Sequence, residues 1–282
     1  MVMVRRNYRE IDIIRVIEPL LLGVLCLVFF ITLVQAGSAD AVWPEAPGMN
    51  VLVDGNLLMD CSNDNKGYVM AGVMTPTGSA FKLQVTFNGG QLLYDLDSTG
   101  LYTTIPLQLG SGTYNFALFE GVGGGKFAGA GNISLTVQLD SEDAAFLVPN
   151  QYVDYVRETA SVLKSDELSE GKGTADVYNE VCNFMSSEFS YDFARAASIA
   201  PGTLPEIDSC FANRAGICQD LSAVMISMLR VQGIPSRLVI GYADGYYHAW
   251  TVSVVDGQEV FFDPTAAVGA ISAGSYVTER IY

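Results

Sequence analysis

The sequence predicts an α+β protein with three parts: an apolar N-terminal segment at 1–39, an all-β domain at 40–145 and a mixed domain at 146–282. Three observations lead to this prediction. An uncharged apolar run follows a basic N-terminus, short β-rich runs fill the first half of the chain, and helical periodicity begins after Asp140. The length of 282 residues suits two folded domains of about 150 residues each.

The composition narrows the possible classes of function. Half of the residues are hydrophobic and only 16% are charged, which is typical of a globular protein and excludes an intrinsically disordered one. The net charge of -16 repels a phosphate backbone. We therefore expect no nucleic-acid partner.

Residues 1–39 are typical of an export signal or a membrane anchor. An uncharged run of 16 residues, Pro19–Val34, follows four arginines, Arg5, Arg6, Arg9 and Arg15. The run is long for a signal peptide and short for a spanning helix, which needs about 20 residues. Small residues at Ala36 and Ala39 suit cleavage, whereas the long leader before the run suits retention, so both remain open. We expect an extracellular or cell-surface protein, anchored in the membrane by residues 16–36 if the segment is retained.

The cysteines after this segment are too sparse for a disulfide scaffold. They are Cys61, Cys182, Cys210 and Cys218. An exported compartment permits a disulfide, and Cys182 with Cys210 is the pair to test, although sequence alone does not fix the connectivity.

Strand signals fill the chain from about Asn50 to Leu139. The runs 81–87, 113–119 and 133–137 are β-rich, and glycine-containing turns separate them. Their spacing predicts an antiparallel, immunoglobulin-like sandwich of about seven strands. No cluster of His, Cys and carboxylates occurs there, so a binding, spacer or packing role is expected.

The pattern then changes to helical spacing. One helix is predicted around Val153, Val156 and Arg157, and another contains Val177, Val181, Cys182 and Met185. The polar segment 165–173 is predicted to connect helices. The segment 200–205 is predicted to be a loop whose prolines end the preceding helix.

A third helix, beginning near Cys218 and running to Gln232, carries a candidate nucleophile. Its apolar residues form one buried stripe: Leu221, Val224, Met225, Met228 and Leu229. Cys218 lies three residues before this stripe, on the same inward face and in the first turn. The positive end of the helix dipole stabilises a thiolate at that position.

A predicted hairpin brings a histidine to a carboxylate. Asp256-Gly257 is a two-residue turn signal that pairs Val255 with Gln258, and this register places Asp263 opposite Trp250. His248, the only histidine of the chain, projects from the same face as Trp250 and becomes a diagonal neighbour of Asp263. A thiolate beside a histidine held by a carboxylate is the arrangement of a Cys-His-Asp nucleophilic site. The aromatic residues Tyr242, Tyr246, Tyr247 and Trp250 fit a substrate rim or a core equally well.

Several runs in this region resemble the transglutaminase-like superfamily, in particular its bacterial exported members. They are G-I-C-Q-D at 216–220, M-L-R-V-Q-G-I-P-S-R-L-V-I-G-Y at 228–242, Y-H-A-W at 247–250 and F-D-P-T at 262–265. The resemblance covers Tyr178–Ala267 and implies a papain-like α+β fold. It also implies that Cys218 is the nucleophile, His248 the base and Asp263 the orienting acid. The backbone N–H of Cys218 is a natural oxyanion donor, and Tyr191 is a candidate for a side-chain partner.

These residues predict an exported thiol-dependent acyl-transfer enzyme, a peptidase, amidase or transglutaminase, that acts on a protein or peptide amide. The alternative is a non-catalytic cell-surface binding or assembly module with the same fold. No metal site is expected, because one histidine and scattered cysteines do not supply a usual zinc site. No cofactor is implied, and the acyl donor and acceptor remain open.

Overall fold

The structure, a computed structural model, describes residues 41–272 and 274–282. The predicted signal or anchor at 1–39 lies outside the described residues. Among the helices of the described part, none has both the length and the apolar character needed to cross a bilayer. The described residues belong to one compact unit.

The first half of the described chain forms two antiparallel four-stranded sheets. One sheet contains, in spatial order, β1 (Val51–Asp54), β2 (Leu57–Asp60), β3 (Tyr68–Val73) and β6 (Thr103–Pro106); the other contains β5 (Gly90–Leu96), β4 (Phe81–Phe87), β7 (Gly112–Gly123) and β8 (Lys126–Val137). Phe81, Leu83 and Val85 alternate inward from β4 and share one core with Leu57 and Met59 of β2. There are eight strands in this part of the structure where about seven were expected, and the immunoglobulin-like topology stays a prediction.

The helix predicted around Val153–Arg157 is wrong. This stretch consists of turns and an isolated bridge between Asn150 and Val153, and the first helix, α1, spans Ala160–Ser169. Val153 is buried through the turn, whereas Val156 is 56% exposed, so their spacing does not reflect one helical face. The predicted connection at 165–173 is also too long, because α1 continues through the buried Ser165, whose hydroxyl donates to the Met228 carbonyl.

The central helix of the second half is the one that begins at the candidate nucleophile. The helices that precede it after α1 are α2 (Thr174–Glu188), α3 (Phe193–Ser198) and α4 (Ile207–Asn213), and the central helix itself is α5 (Cys218–Arg230). The predicted stripe on α5 is fully buried. The hydrophobic core that contains this stripe also contains residues of α2, including Val177, Val181 and Met185. The loop 199–206 separates α3 from α4, as predicted.

A four-stranded antiparallel sheet packs against α5. In spatial order it contains β13 (Gln258–Phe262), β12 (Tyr246–Val255), β11 (Ser236–Ala243) and β14 (Tyr276–Ile281), and a short helix, α6 (Pro264–Ala267), follows β13. Val255 pairs with Gln258 and Thr251 with Phe262, so the predicted hairpin register is confirmed. Asp256 and Gly257 have φ values of 50° and 77°, the left-handed conformations that a two-residue hairpin turn requires.

The two halves of the described chain are in contact. Leu92 of β5 and Tyr152 pack against both hydrophobic cores, and the rings of Tyr152 and Tyr282 stack with centroids 3.6 Å apart. The side-chain amide of Gln108 also donates to the Ile281 carbonyl. The predicted domain boundary between 145 and 146 stays a prediction.

Candidate active site

Cys218 is the first residue of α5, directly after a short strand. This strand, β10 (Ala215–Gly216), pairs in parallel with β9 (Ser190–Tyr191). Gly216 is required there, because a Cβ at this position would lie 2.6 Å from the Cys210 sulfur and 2.8 Å from Cβ of Asp220. The close packing between β10 and the start of α5 therefore fixes the position of Cys218.

A buried carboxylate holds this helix start in place. Asp220 is 1% exposed, and its Oδ2 accepts hydrogen bonds from the Ile217 backbone N–H at 3.1 Å and from Arg195 Nε at 3.0 Å. Its Oδ1 accepts the Glu206 backbone N–H at 3.0 Å. The carboxylate satisfies a free N–H at the helix N-terminus, where negative charge is favourable. Asp220 is the last residue of the G-I-C-Q-D run at 216–220, and no sequence pattern indicated this role for it.

His248 lies on β12, and its ring is held by Asp263. The distance from His248 Nε2 to Asp263 Oδ2 is 2.9 Å, and the histidine is only 7% exposed. Burial opposes protonation of the ring, but hydrogen bonds with Asp263 and Cys218 outweigh it and raise the pKa of His248 to about 9. Because Nε2 is hydrogen-bonded to Asp263, Nδ1 is the ring nitrogen that remains for proton exchange with the Cys218 thiol.

Asp263 follows β13 and also caps α6. Its Oδ1 accepts the backbone N–H groups of Thr265 at 2.8 Å and Ala266 at 3.2 Å, and Pro264 occupies the first helical position. This local Asp-Pro-Thr turn holds the carboxylate in place independently of its contact with His248. Burial opposes its ionisation, yet the hydrogen bonds and charge of His248, with further bonds from Tyr276 and Ala266, keep the pKa of Asp263 below its ordinary value.

Tyr276 is a site residue that sequence analysis missed. Its hydroxyl donates to Asp263 Oδ2 at 2.8 Å, the same oxygen that His248 contacts. Its ring lies edge-on to Trp250, with centroids 5.1 Å apart. Tyr276 begins β14, and no spacing pattern in the sequence links this strand to Asp263.

The four aromatic residues that fitted a substrate rim or a core equally well in the sequence differ in their burial. Trp250 is buried, and its ring lies nearly parallel to that of His248, at an interplanar angle of 26°. Tyr242, Tyr246 and Tyr247 are exposed. Trp250 is therefore core beside the histidine, and Tyr247 belongs to the cleft described next.

Cys218 and His248 open into one cleft of about 910 Å³. The cleft lies between β5 of the first half and the start of α5. Tyr191 also lines it, close to the backbone of Cys218, and burial raises the pKa of Tyr191 to about 12. The structure thus brings all four predicted site residues to one region.

The other described cysteines differ from Cys218 in their surroundings. All four are free thiols, so the disulfide between Cys182 and Cys210 that the sequence left to be tested is not formed. Burial raises the pKa of Cys61 and Cys210 to about 12 and that of Cys182 to about 11. Within the described residues, no group of three or more His, Cys, Asp or Glu side chains is arranged to hold a metal ion.

Comparison with known families identifies this region. Residues 160–264 match the model of the transglutaminase-like superfamily, and this segment contains Cys218, His248 and Asp263. Residues 160–264 are therefore similar to a transglutaminase-like core domain, and the resemblance predicted from the sequence is confirmed. Such a domain suggests a thiol-dependent enzyme.

Solved structures with similarity to this chain include two bacterial proteins and one from a fish. A candidate cysteine protease from Cytophaga hutchinsonii is 16% identical over 87% of this chain and 82% of its own, with a TM-score of 0.40. A candidate protease from Parabacteroides distasonis is 15% identical over 67% of this chain and 38% of its own, with a TM-score of 0.33. Red sea bream transglutaminase is 13% identical over 77% of this chain and 53% of its own, with a TM-score of 0.29.

The chain thus spans most of the first of these proteins and less than two thirds of the other two. At these identities and TM-scores, the three structures give no support to a particular activity. A search among curated proteins finds no match.

Proposed function

We propose that the protein is an exported, thiol-dependent acyl-transfer enzyme that acts on a protein or peptide amide. The observation that carries this proposal is the pairing of His248 Nε2 with Asp263 at 2.9 Å in a cleft that also contains Cys218. With a pKa of about 9, the His248 ring is protonated at neutral pH. Cys218, whose thiol shares the cleft with this ring, is the proposed nucleophile.

The proposed reaction begins with attack of the Cys218 sulfur on the amide carbonyl carbon. The C–N bond then breaks, His248 gives its proton to the leaving nitrogen, and an amine departs from a Cys218 thioester. In the second half, His248 takes a proton from water or from an amine, whose oxygen or nitrogen attacks the thioester. The Cys218 sulfur leaves, and an acid or a new amide is released. Asp263 holds the ring in one orientation throughout.

The negative charge that develops on the carbonyl oxygen needs hydrogen-bond donors. The backbone N–H of Cys218 is the first candidate because it lies at the N-terminus of α5, where N–H groups have no hydrogen-bond partner within the helix. The Tyr191 hydroxyl, which keeps its proton because burial raises its pKa to about 12, is the proposed side-chain donor.

Selective alkylation tests the nucleophile. With iodoacetamide near pH 7, Cys218 is expected to react faster than Cys61, Cys182 and Cys210, because burial keeps those three thiols protonated. His248→Ala should slow the reaction of Cys218 markedly and leave the other three unchanged. Peptide mass spectrometry measures each rate in the same sample. Equal rates at all four cysteines would favour the non-catalytic binding or assembly module.

We propose water as the usual acceptor of the acyl group. Water is present at high concentration, and hydrolysis is the default outcome unless a site excludes it. The net charge of -16 attracts lysine-rich proteins and so favours the opposite outcome weakly.

A surface-protein extract supplied with a labelled primary amine distinguishes the two acceptors. Released acids or fragments that disappear in Cys218→Ala support hydrolysis. Labelled adducts that disappear in the same variant, without matching hydrolysis, would make the enzyme a transglutaminase in the literal sense.

A further inference from the structure

The wall of the cleft opposite Cys218 is formed by the edge of a β-sheet. β5 is the terminal strand of its sheet, with β4 on one side only. Gln91 and Leu93 of β5 line the same cleft as Cys218 and His248. An edge strand presents backbone N–H and C=O groups that a further extended chain can bind.

The register of the β4–β5 hairpin determines which backbone groups face outward. Phe87 pairs with Gly90 around the two-residue turn Asn88-Gly89, and this closing pair exchanges backbone hydrogen bonds. Alternation along the ladder then makes 91, 93 and 95 the residues whose backbone groups point away from β4. These are the positions at the cleft.

One amide group already binds to this edge. The side chain of Gln151 donates from Nε2 to the Leu93 carbonyl at 3.4 Å and accepts at Oε1 from the Asp95 backbone N–H at 3.0 Å. A residue of a neighbouring parallel strand makes the same pair of contacts, one on each side of a β5 residue. The Gln151 carboxamide thus stands where a peptide group of an added strand would lie. The backbone groups of Gln91 and the N–H of Leu93 continue this edge beyond it.

We infer that the acyl donor is an extended peptide segment whose backbone adds to β5 as an extra strand, so that the sheet half of the protein forms part of the substrate site. This inference rests on the proposed function and specifies its substrate: a chain in extended conformation, not a folded surface or an isolated glutamine side chain. The sheet edge holds the backbone and the α5 side supplies the thiol.

Chloromethyl ketone probes test the inference on the full 282-residue chain. The parent probe is acetyl-tetraalanine chloromethyl ketone, which alkylates a thiolate with loss of chloride. Two isomeric probes, called twins here, each carry two N-methyl groups. One twin is methylated on the first and third alanine, and the other on the second and fourth. Successive N–H groups of a strand point to opposite sides, so only one twin loses the hydrogen bonds to β5. That twin is expected to label Cys218 about 25-fold more slowly than the other, since it loses two bonds and each is worth roughly fivefold.

Gln91→Pro removes an outward N–H from β5 and places the proline ring on the edge where the added strand would lie, so that the strand cannot pair there, while no ladder bond to β4 is lost. The ratio between the twins should fall in this variant, and the rate with iodoacetamide, which needs no backbone pairing, should be unchanged. Val51→Pro is the matched control, because Val51 is an outward position on β1, the edge of the other sheet, and it should leave the ratio unaltered. Equal rates for the twins on the unaltered protein, or a ratio that survives Gln91→Pro, would overturn the inference. Failure of iodoacetamide to label Cys218 would instead overturn the proposed function itself.

Discussion

The single histidine of the chain makes the charge state of the site directly measurable. The pKa of His248 is raised from 6.5 to about 9 by its hydrogen bonds with Asp263 and Cys218, against the effect of burial. This difference corresponds to about 3 kcal/mol of preference for the protonated ring. Because the folded pKa lies above the unfolded one, the pair stabilises the folded state fully below about pH 6.5. That contribution is lost as the pH rises through about 9.

Asp263→Asn removes the negative charge and leaves a side chain of the same shape. We expect the pKa of His248 to fall by at least one pH unit, or about 1.4 kcal/mol, since one of its two hydrogen-bonding partners loses its charge. A second substitution, Cys218→Ala, should lower it further. The activity of the unaltered enzyme should fall as the pH rises through about 9, because the ring then lacks the proton that the leaving amine requires.

Histidine-selective NMR of the protein labelled with ¹³C in its one imidazole gives the titration without any assignment step. Asp256→Asn is the matched control. It makes the same chemical change in the same hairpin, at a position whose φ of 50° suits asparagine. If the unaltered protein titrates near 6.5, or if Asp263→Asn leaves its titration where it was, the Asp263 contact does not raise the pKa of His248.

Three further substitutions test other contacts. Tyr276→Phe removes a donor from Asp263 and should reduce kcat/KM about tenfold, in keeping with about 1.5 kcal/mol for a hydrogen bond to a charged group; an unchanged value would contradict a positioning role. Asp220→Ala removes the acceptor of the buried Ile217 N–H and of the partly exposed Arg195 guanidinium and should lower the free energy of unfolding by about 3 kcal/mol, measured in urea. Arg230→Met removes the donors of three backbone carbonyls and should also cost about 3 kcal/mol; a urea midpoint equal to that of the unaltered protein would contradict either estimate.

Local patterns predicted the parts of the site that depend on neighbouring residues. The Asp256-Gly257 turn fixes the hairpin register, which in turn brings His248 to Asp263. The buried stripe of α5 fixes the helix that presents Cys218. Both features follow from periodicity and turn chemistry over fewer than twenty residues, where a sequence pattern is most informative.

Contacts between distant segments were not predictable in the same way. Tyr276 reaches Asp263 only because β14 pairs with β11, and this pairing contains an irregularity between Ile240 and Gly241. Val153 and Val156 show helical spacing, but tertiary packing buries only the first of them. No pattern in the sequence specifies how the edge of β5 meets the α5 side of the cleft.

Arg230 is the feature that the sequence pattern describes least well. A basic residue in the last turn of a helix is ordinarily a surface residue near the negative end of the dipole. Here it is fully buried, and burial lowers its pKa to about 10. Its guanidinium donates to the carbonyls of Val148, Ser236 and Tyr282.

These three carbonyls belong to segments that the ribosome makes at different times. Val148 is available early and Ser236 soon after Arg230, but Tyr282 is translated 52 residues later. Before Tyr282 is made, packing of α5 in its final position would bury the Arg230 guanidinium without one of its three acceptors. An unpaired buried cation is energetically costly. The second half is thus expected to reach its native packing only after synthesis of β14, so that nascent chains that stop before this strand remain susceptible to proteases.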